Sequence, residues 1–230
     1  MSINTIEKST VDHVPIISQI SPWLSSIVYN LGAKLILPFY FKNIIITGQE
    51  HIPRSGAVIV APTHRARWDA LIVPYAVGRL SSGRDLHFMV SANEMKGLQG
   101  WYIRKMGGFP VNTERPQPHT LNHSFELLSN GEMVVIFPEG GIFRGAPVQP
   151  LKRGVAKIAL DVAQAKADLP ITILPVSVKY SEDFPRRGCS VTVTIGQGLN
   201  VANYRDDSPR KSSFKLTEDL ENALKNIHEI

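Results

Sequence analysis

The chain has 230 residues, 43% hydrophobic and 20% charged, with 25 basic residues against 20 acidic ones and a single cysteine, Cys189. A chain of this length buries roughly 70–75% of the surface its unfolded form exposes, so it needs no disulfide or metal staple to fold. One cysteine excludes a disulfide framework and a CxxC metal knuckle, and points to a reducing compartment. The N-terminal MSINTIEKSTVDH carries Glu7 and Asp12 and lacks a basic start followed by an apolar core, so it does not read as a secretory signal. The net charge is +5, and the segment from His64 to Arg115 alone holds eight basic and four acidic residues, or +4. Such a surface suits an anionic substrate, an anionic carrier or a phospholipid headgroup layer. Neither finger spacing nor a glycine-aromatic RNA signature occurs, so no nucleic-acid partner is expected.

Residues 14–33 contain no charge, which raises the question of a membrane span. Almost half of the stretch is polar or helix-disfavouring (four Ser, two Pro, Gln19, Asn30 and Gly32), which argues against a span, and its apolar residues recur at helical spacing (Ile20, Trp23, Leu24, Ile27, Val28, Leu31, then Leu35 beyond it). Ser21 followed by Pro22 predicts a helix start, with Ser as N-cap and Pro at the first helical position. The result is an amphipathic helix running into the aromatic LILPFYF (35–41), so residues 1–42 read as a tail plus a membrane-associating segment and 43–230 as the main domain. The alternative is that the apolar stripe packs on the domain core.

Strands are predicted at 43–48, 57–62, 87–92, 133–138, 171–178 and 189–196, where short apolar runs are bounded by Gly, Pro or polar residues. Helices are predicted at 67–80, where Pro74 should kink or end the helix, at 93–108 with a glycine-pair stop, at 119–132 with Gly131 as stop, at 152–167 and at 216–230. YRDDSPRKSS (204–213) reads as a charged surface loop. This order implies an α/β fold, a mixed and largely parallel sheet flanked by helices, with ligands outside the carboxyl ends of the strands.

Two segments carry chemistry at such ends. After AVIVAP comes His64-Arg65-Ala66-Arg67-Trp68-Asp69, where the aspartate can reach back to the imidazole Nδ1–H and leave the other ring nitrogen as a general base. The competing reading is a surface histidine beside a helix-start aspartate. After MVVIF comes Pro138-Glu139-Gly140-Gly141-Ile142-Phe143-Arg144-Gly145, in which glycines let backbone amides approach a ligand and Arg144 can pair with a phosphate. It lacks the GK[ST] ending of a nucleotide loop. A third segment, Gly107 to Arg115, ends in a cation that reads equally as an exposed loop residue. His119 and His123 have metal-pair spacing but no third ligand, so no metal site is expected. No GxSxG elbow occurs, which argues against a serine hydrolase.

Taken together, these blocks resemble the glycerolipid acyltransferase family, whose type activity is that of 1-acyl-sn-glycerol-3-phosphate acyltransferase. His64 and Asp69 match its HxxxxD block, Gly107–Arg115 its second block, Phe137-Pro138-Glu139-Gly140 its FPEG block, and Leu174-Pro175-Val176 its apolar-Pro block. Thr113 stands where the family usually has arginine, with the cation at Arg115, and Gly141-Ile142-Phe143 intervene before Arg144. The resemblance implies His64 as general base, Asp69 as its orienter, and Arg115, Glu139 and Gly140 as acceptor-binding residues; Arg144, and Arg65 or Arg67 beside the histidine, are further cations expected to bind the acceptor phosphate. It implies transfer from acyl-CoA or acyl carrier protein to lysophosphatidate or another lysolipid, with no cofactor, by a peripheral or monotopic protein at the cytoplasmic face of a membrane. A non-catalytic phospholipid-binding protein is the alternative of a different class.

Overall fold

The computed structural model describes residues 18, 20–112, 118–205 and 208–229. Arg115, with the end of the second block, falls outside them. The N-terminal helix starts as the Ser-Pro signal predicts: α1 spans Pro22–Leu31, with Pro22 in its first turn, although the Ser21 hydroxyl makes no capping bond. It continues through a π-helical stretch, Gly32–Ile36, into α2, Leu37–Tyr40. Leu37 and Phe41 are buried on the sheet, whereas Trp23, Ile27, Leu31, Leu35 and Phe39 are exposed. A step of four residues drifts around a helix of about 3.6 residues per turn, and the wider π turn takes up part of that drift, keeping the stripe on one side. No described helix is long and apolar enough to cross a membrane.

The strands are β1 (Ile44–Thr47), β2 (Ala57–Pro62), β3 (Leu86–Ser91), β4 (Gly108–Val111), β5 (Met133–Val135), β6 (Ile171–Tyr180), β7 (Val191–Ile195) and β8 (Leu199–Asn200). They form one sheet in the order β1-β7-β6-β2-β5-β3-β4, with β8 also paired to β6. β6, β2, β5, β3 and β4 run parallel, and β7 pairs antiparallel with β6, so the sheet is mixed and largely parallel. β2 lies at its centre with every residue buried, as expected for a strand covered on both faces.

Alternate β2 side chains feed two cores. Ala57, Ile59 and Ala61 pack with α7 (Gly154–Ala165) and α8 (Pro209–His228), while Val58 and Val60 pack with α3 (Asp69–Val77), Leu37 and Phe41. The remaining helices are α4 (Arg79–Ser82), α5 (Gly97–Lys105) and α6 (Pro118–Ser129).

Several expectations are corrected. The 204–213 segment is not all loop, because Ser208 caps α8 through its side chain and Pro209 begins the helix. The helix predicted over 93–108 is a short 3-10 turn, Ala92–Glu94, followed by α5, and β4 begins at Gly108. Gly107 adopts φ +85, a left-handed stop, and a side chain at Gly108 would strike Ile103. Pro74 does not end α3, which runs to Val77 and stops at Gly78.

Candidate active site

β2 is flanked by β6 and β5, so the loops leaving their carboxyl ends converge. His64 follows β2, Phe137 and Glu139 follow β5, and Tyr180 is the last residue of β6. Backbone bonds lock these loops together: Thr63 N donates to Val176 O at 2.9 Å, and Phe143 N to His64 O at 2.8 Å.

His64 Nδ1 lies 2.8 Å from Asp69 Oδ2. Asp69 is fully buried, and the same oxygen accepts the backbone N–H groups of Arg65 at 2.7 Å and Ala66 at 2.9 Å. Its other oxygen accepts the Tyr180 hydroxyl at 2.6 Å. An acceptor-only carboxylate places the shared proton on Nδ1, leaving the Nε2 lone pair available. Phe137 stacks on the imidazole with ring centroids 4.0 Å apart and planes 23° apart, fixing the ring's second degree of freedom. Burial, and then the charge of Asp69, push the Tyr180 hydroxyl far above its ordinary pKa, so it remains a donor.

His64 lines a cavity of about 630 Å³, with Phe88, Met89, Val90, Ile103, Val111, Leu121, Ile136 and Ile158 among its apolar lining. Arg67, Gly140, Gly141 and Lys152 also line it. A wider, more open groove of about 1350 Å³ runs along α8, but its lining has mixed charge and does not include His64. The apolar lining of the first cavity suits an acyl chain.

The expected acceptor-binding residues are not gathered in one place. Arg65 is buried and does not line the cavity: its guanidinium donates to Glu139 at 2.8 and 3.1 Å, to His228 Nε2 at 3.2 Å and to the His64 carbonyl at 3.2 Å. Glu139 is buried as its partner; burial pushes its carboxyl pKa up, while Arg65 pulls it down. Arg67 is exposed at the cavity, paired with Glu94 at 2.9 Å. Gly140 lines the cavity at φ +75, a conformation that favours glycine. Arg144 is exposed, with its guanidinium 5.0 Å from the centre of the Phe184 ring.

Sequence reasoning missed Tyr180, Phe137 as a stacking partner, and His228. His228 accepts from Arg65 on Nε2, and its Nδ1 lies 2.8 Å from Ser177 Oγ. Burial, reinforced by Arg65, lowers its pKa to about 4. Of the histidine pair, His123 meets Ser18 Oγ at 2.8 Å and the edge of Phe109, and the His119 side chain lies outside the description. Among the described residues no group of three or more His, Cys, Asp or Glu could hold a metal ion. Cys189 is a buried free thiol.

Residues 43–179 match the protein family described as Acyltransferase. The chain is 27% identical over 183 residues to the 1-acyl-sn-glycerol-3-phosphate acyltransferase of Bacillus subtilis, covering 79% of this chain and 86% of that protein. It is 26% identical over 200 residues to the protein of the same name from Borreliella burgdorferi, covering 85% and 72%. The crystal structure of the 1-acyl-sn-glycerophosphate acyltransferase PlsC from Thermotoga maritima superposes with a TM-score of 0.66 at 20% identity, over 89% of this chain and 78% of that one.

Proposed function

Since the chain belongs to the acyltransferase family, we propose that it moves a fatty acyl group from an acyl thioester, of coenzyme A or acyl carrier protein, to the free hydroxyl of 1-acyl-glycerol-3-phosphate, giving phosphatidic acid. The observation that carries this reading is the arrangement of His64, Asp69 and Tyr180 opening on an apolar cavity: a base held in one tautomer beside space for an acyl chain.

His64 Nε2 removes the proton from the acceptor hydroxyl as its oxygen attacks the thioester carbonyl. The new C–O bond forms, the C–S bond breaks, and the proton on Nε2 passes to the departing thiolate. Asp69 stabilises the transient imidazolium without taking its proton. Gly140 and Gly141, lacking side chains, let the backbone approach the developing oxyanion.

The exposed stripe from Trp23 to Phe39 supports a place at the membrane surface, where aromatic and aliphatic side chains enter the headgroup boundary and lipid acceptors are at hand. The test is to supply purified protein with 1-acyl-glycerol-3-phosphate and labelled acyl thioester, alone and against other lysolipids. Labelled phosphatidic acid as the dominant product is expected. Preference for another lysolipid would replace the acceptor, and vesicle binding without turnover on any acceptor would overturn the enzymatic reading.

A further inference from the structure

The stretch between β5 and α7 carries a cation that belongs to none of the sequence blocks. Lys152 lines the cavity that His64 lines, on the wall formed by Gly140, Gly141 and Gly154. Its stem lies across the α-carbon of Gly140: a methyl group built there would sit 2.5 Å from Lys152 Cε and 2.6 Å from Nζ. Its backbone is anchored to the same loop, with Lys152 N donating to Pro138 O at 2.9 Å. Gly140 therefore admits both the left-handed turn and the close passage of the lysine.

The other candidate cations are placed differently. Arg65 is buried against Glu139, and Arg144 rests over Phe184 away from the cavity. Arg67 shares the cavity and, like Lys152, is exposed; it stands with Glu94, which also accepts from Gln99 at 2.9 Å. Geometry within the acceptor narrows the choice to Arg67 and Lys152, the two cations that line the cavity. In 1-acyl-glycerol-3-phosphate the reacting hydroxyl and the phosphate sit on adjacent carbons, so the group that holds the phosphate must share the cavity with the base.

We infer that Lys152 binds the acceptor phosphate and thereby presents the neighbouring hydroxyl to His64. The inference rests on the acceptor proposed above. A lysine ammonium is a compact point charge with rotatable donors, suited to following a phosphate at a cavity wall. The first residues of α7, Gly154 and Val155, line the same wall and add the positive end of a helix.

The experiment is equilibrium binding of 1-acyl-glycerol-3-phosphate and of phosphate-free 1-acylglycerol to the wild-type chain, Lys152→Met and Lys152→Arg. Loss of one charge-assisted contact should weaken the phosphorylated ligand roughly 10- to 100-fold in Lys152→Met. Binding of 1-acylglycerol should be unchanged, which also reports an intact fold, and Lys152→Arg should recover most of the loss. Equal binding of the phosphorylated ligand by wild type and Lys152→Met overturns the inference, as does a wild-type chain that does not distinguish the two ligands. Turnover is measured separately: wild type that binds the phosphorylated ligand but forms no phosphatidic acid contradicts the proposed reaction and leaves the Lys152 assignment to the binding ratio.

Discussion

Arg65 Nη1 donates to both carboxylate oxygens of Glu139, at 2.8 and 3.1 Å, and both side chains are buried. This buried pair joins the loop after β2, which carries His64, to the loop after β5, which carries Phe137. The ring stacked on His64 is thereby held in place by an ion pair behind it.

Removing one partner leaves an uncompensated buried charge. Glu139→Ala should therefore cost about 3–5 kcal/mol. For a chain of this size that corresponds to a fall of roughly 6–20 °C in the thermal midpoint. Combining it with Arg65→Met should cost clearly less than the sum of the single changes, because the two positions share one interaction. Calorimetry on the three variants checks this, and additive losses would contradict the pairing.

Tyr180→Phe removes only the hydroxyl that donates to Asp69 Oδ1. A hydrogen bond to a charged group contributes about 1.5–3 kcal/mol, so stability should fall by that order. With a carboxylate oxygen left without its donor, turnover should fall severalfold to about tenfold while the acceptor KM stays near the wild-type value. A rise in KM with unchanged turnover would show that Tyr180 binds substrate instead.

Much of this architecture was legible in the residues. The all-buried AVIVAP run marks the centre of a parallel sheet, and the two chemistry-bearing segments follow strands that prove to be neighbours. What escaped had specific causes. β4 was hidden because Gly107-Gly108 reads as a stop and Pro110 disfavours a strand; β4 lies at the sheet edge, where an absent N–H is tolerated. The start of α8 was hidden by a charged run, although Ser208-Pro209 repeats the Ser-Pro signal that locates α1. Tyr180 lies 111 residues from Asp69 in the chain, and only the pairing of β6 with β2 brings them together. Arg65 and Arg67 lie on opposite sides of one turn, a distinction that charge counting does not see: one is buried, the other exposed.

The N-terminal stripe makes a prediction independent of catalysis. Trp23 is 67% exposed and Leu35 61% exposed, so replacing both by serine should leave the thermal midpoint nearly unchanged. If the stripe enters a bilayer, each large side chain contributes about 1.5–3 kcal/mol when buried there, and the pair of substitutions should weaken vesicle partitioning at least 100-fold. Co-sedimentation with phospholipid vesicles checks it. Unchanged partitioning would remove the stripe from the membrane contact.

Burial holds His87 and His228 neutral down to a pKa of about 4. In the unfolded chain a histidine titrates near about 6.5. As the pH falls from about 6.5 to about 4, the unfolded state takes up protons that the folded state refuses, so stability is full above this window and lost within it, by up to about 3 kcal/mol per histidine. His228→Gln keeps an acceptor for Arg65 and does not titrate, so its denaturation midpoint should fall less steeply between pH 6.5 and 4.5. An identical slope for wild type and variant would contradict the neutral buried His228.

The most direct test of the central claim is the rate of acyl transfer by His64→Ala, whose side chain lines the cavity and whose replacement leaves the Asp69, Tyr180 and Arg65 contacts with one another in place. With folding verified by thermal midpoint, kcat on 1-acyl-glycerol-3-phosphate should drop at least about 100-fold, the scale for removing a general base. A variant that folds normally and keeps most of the wild-type turnover would contradict His64 as the base.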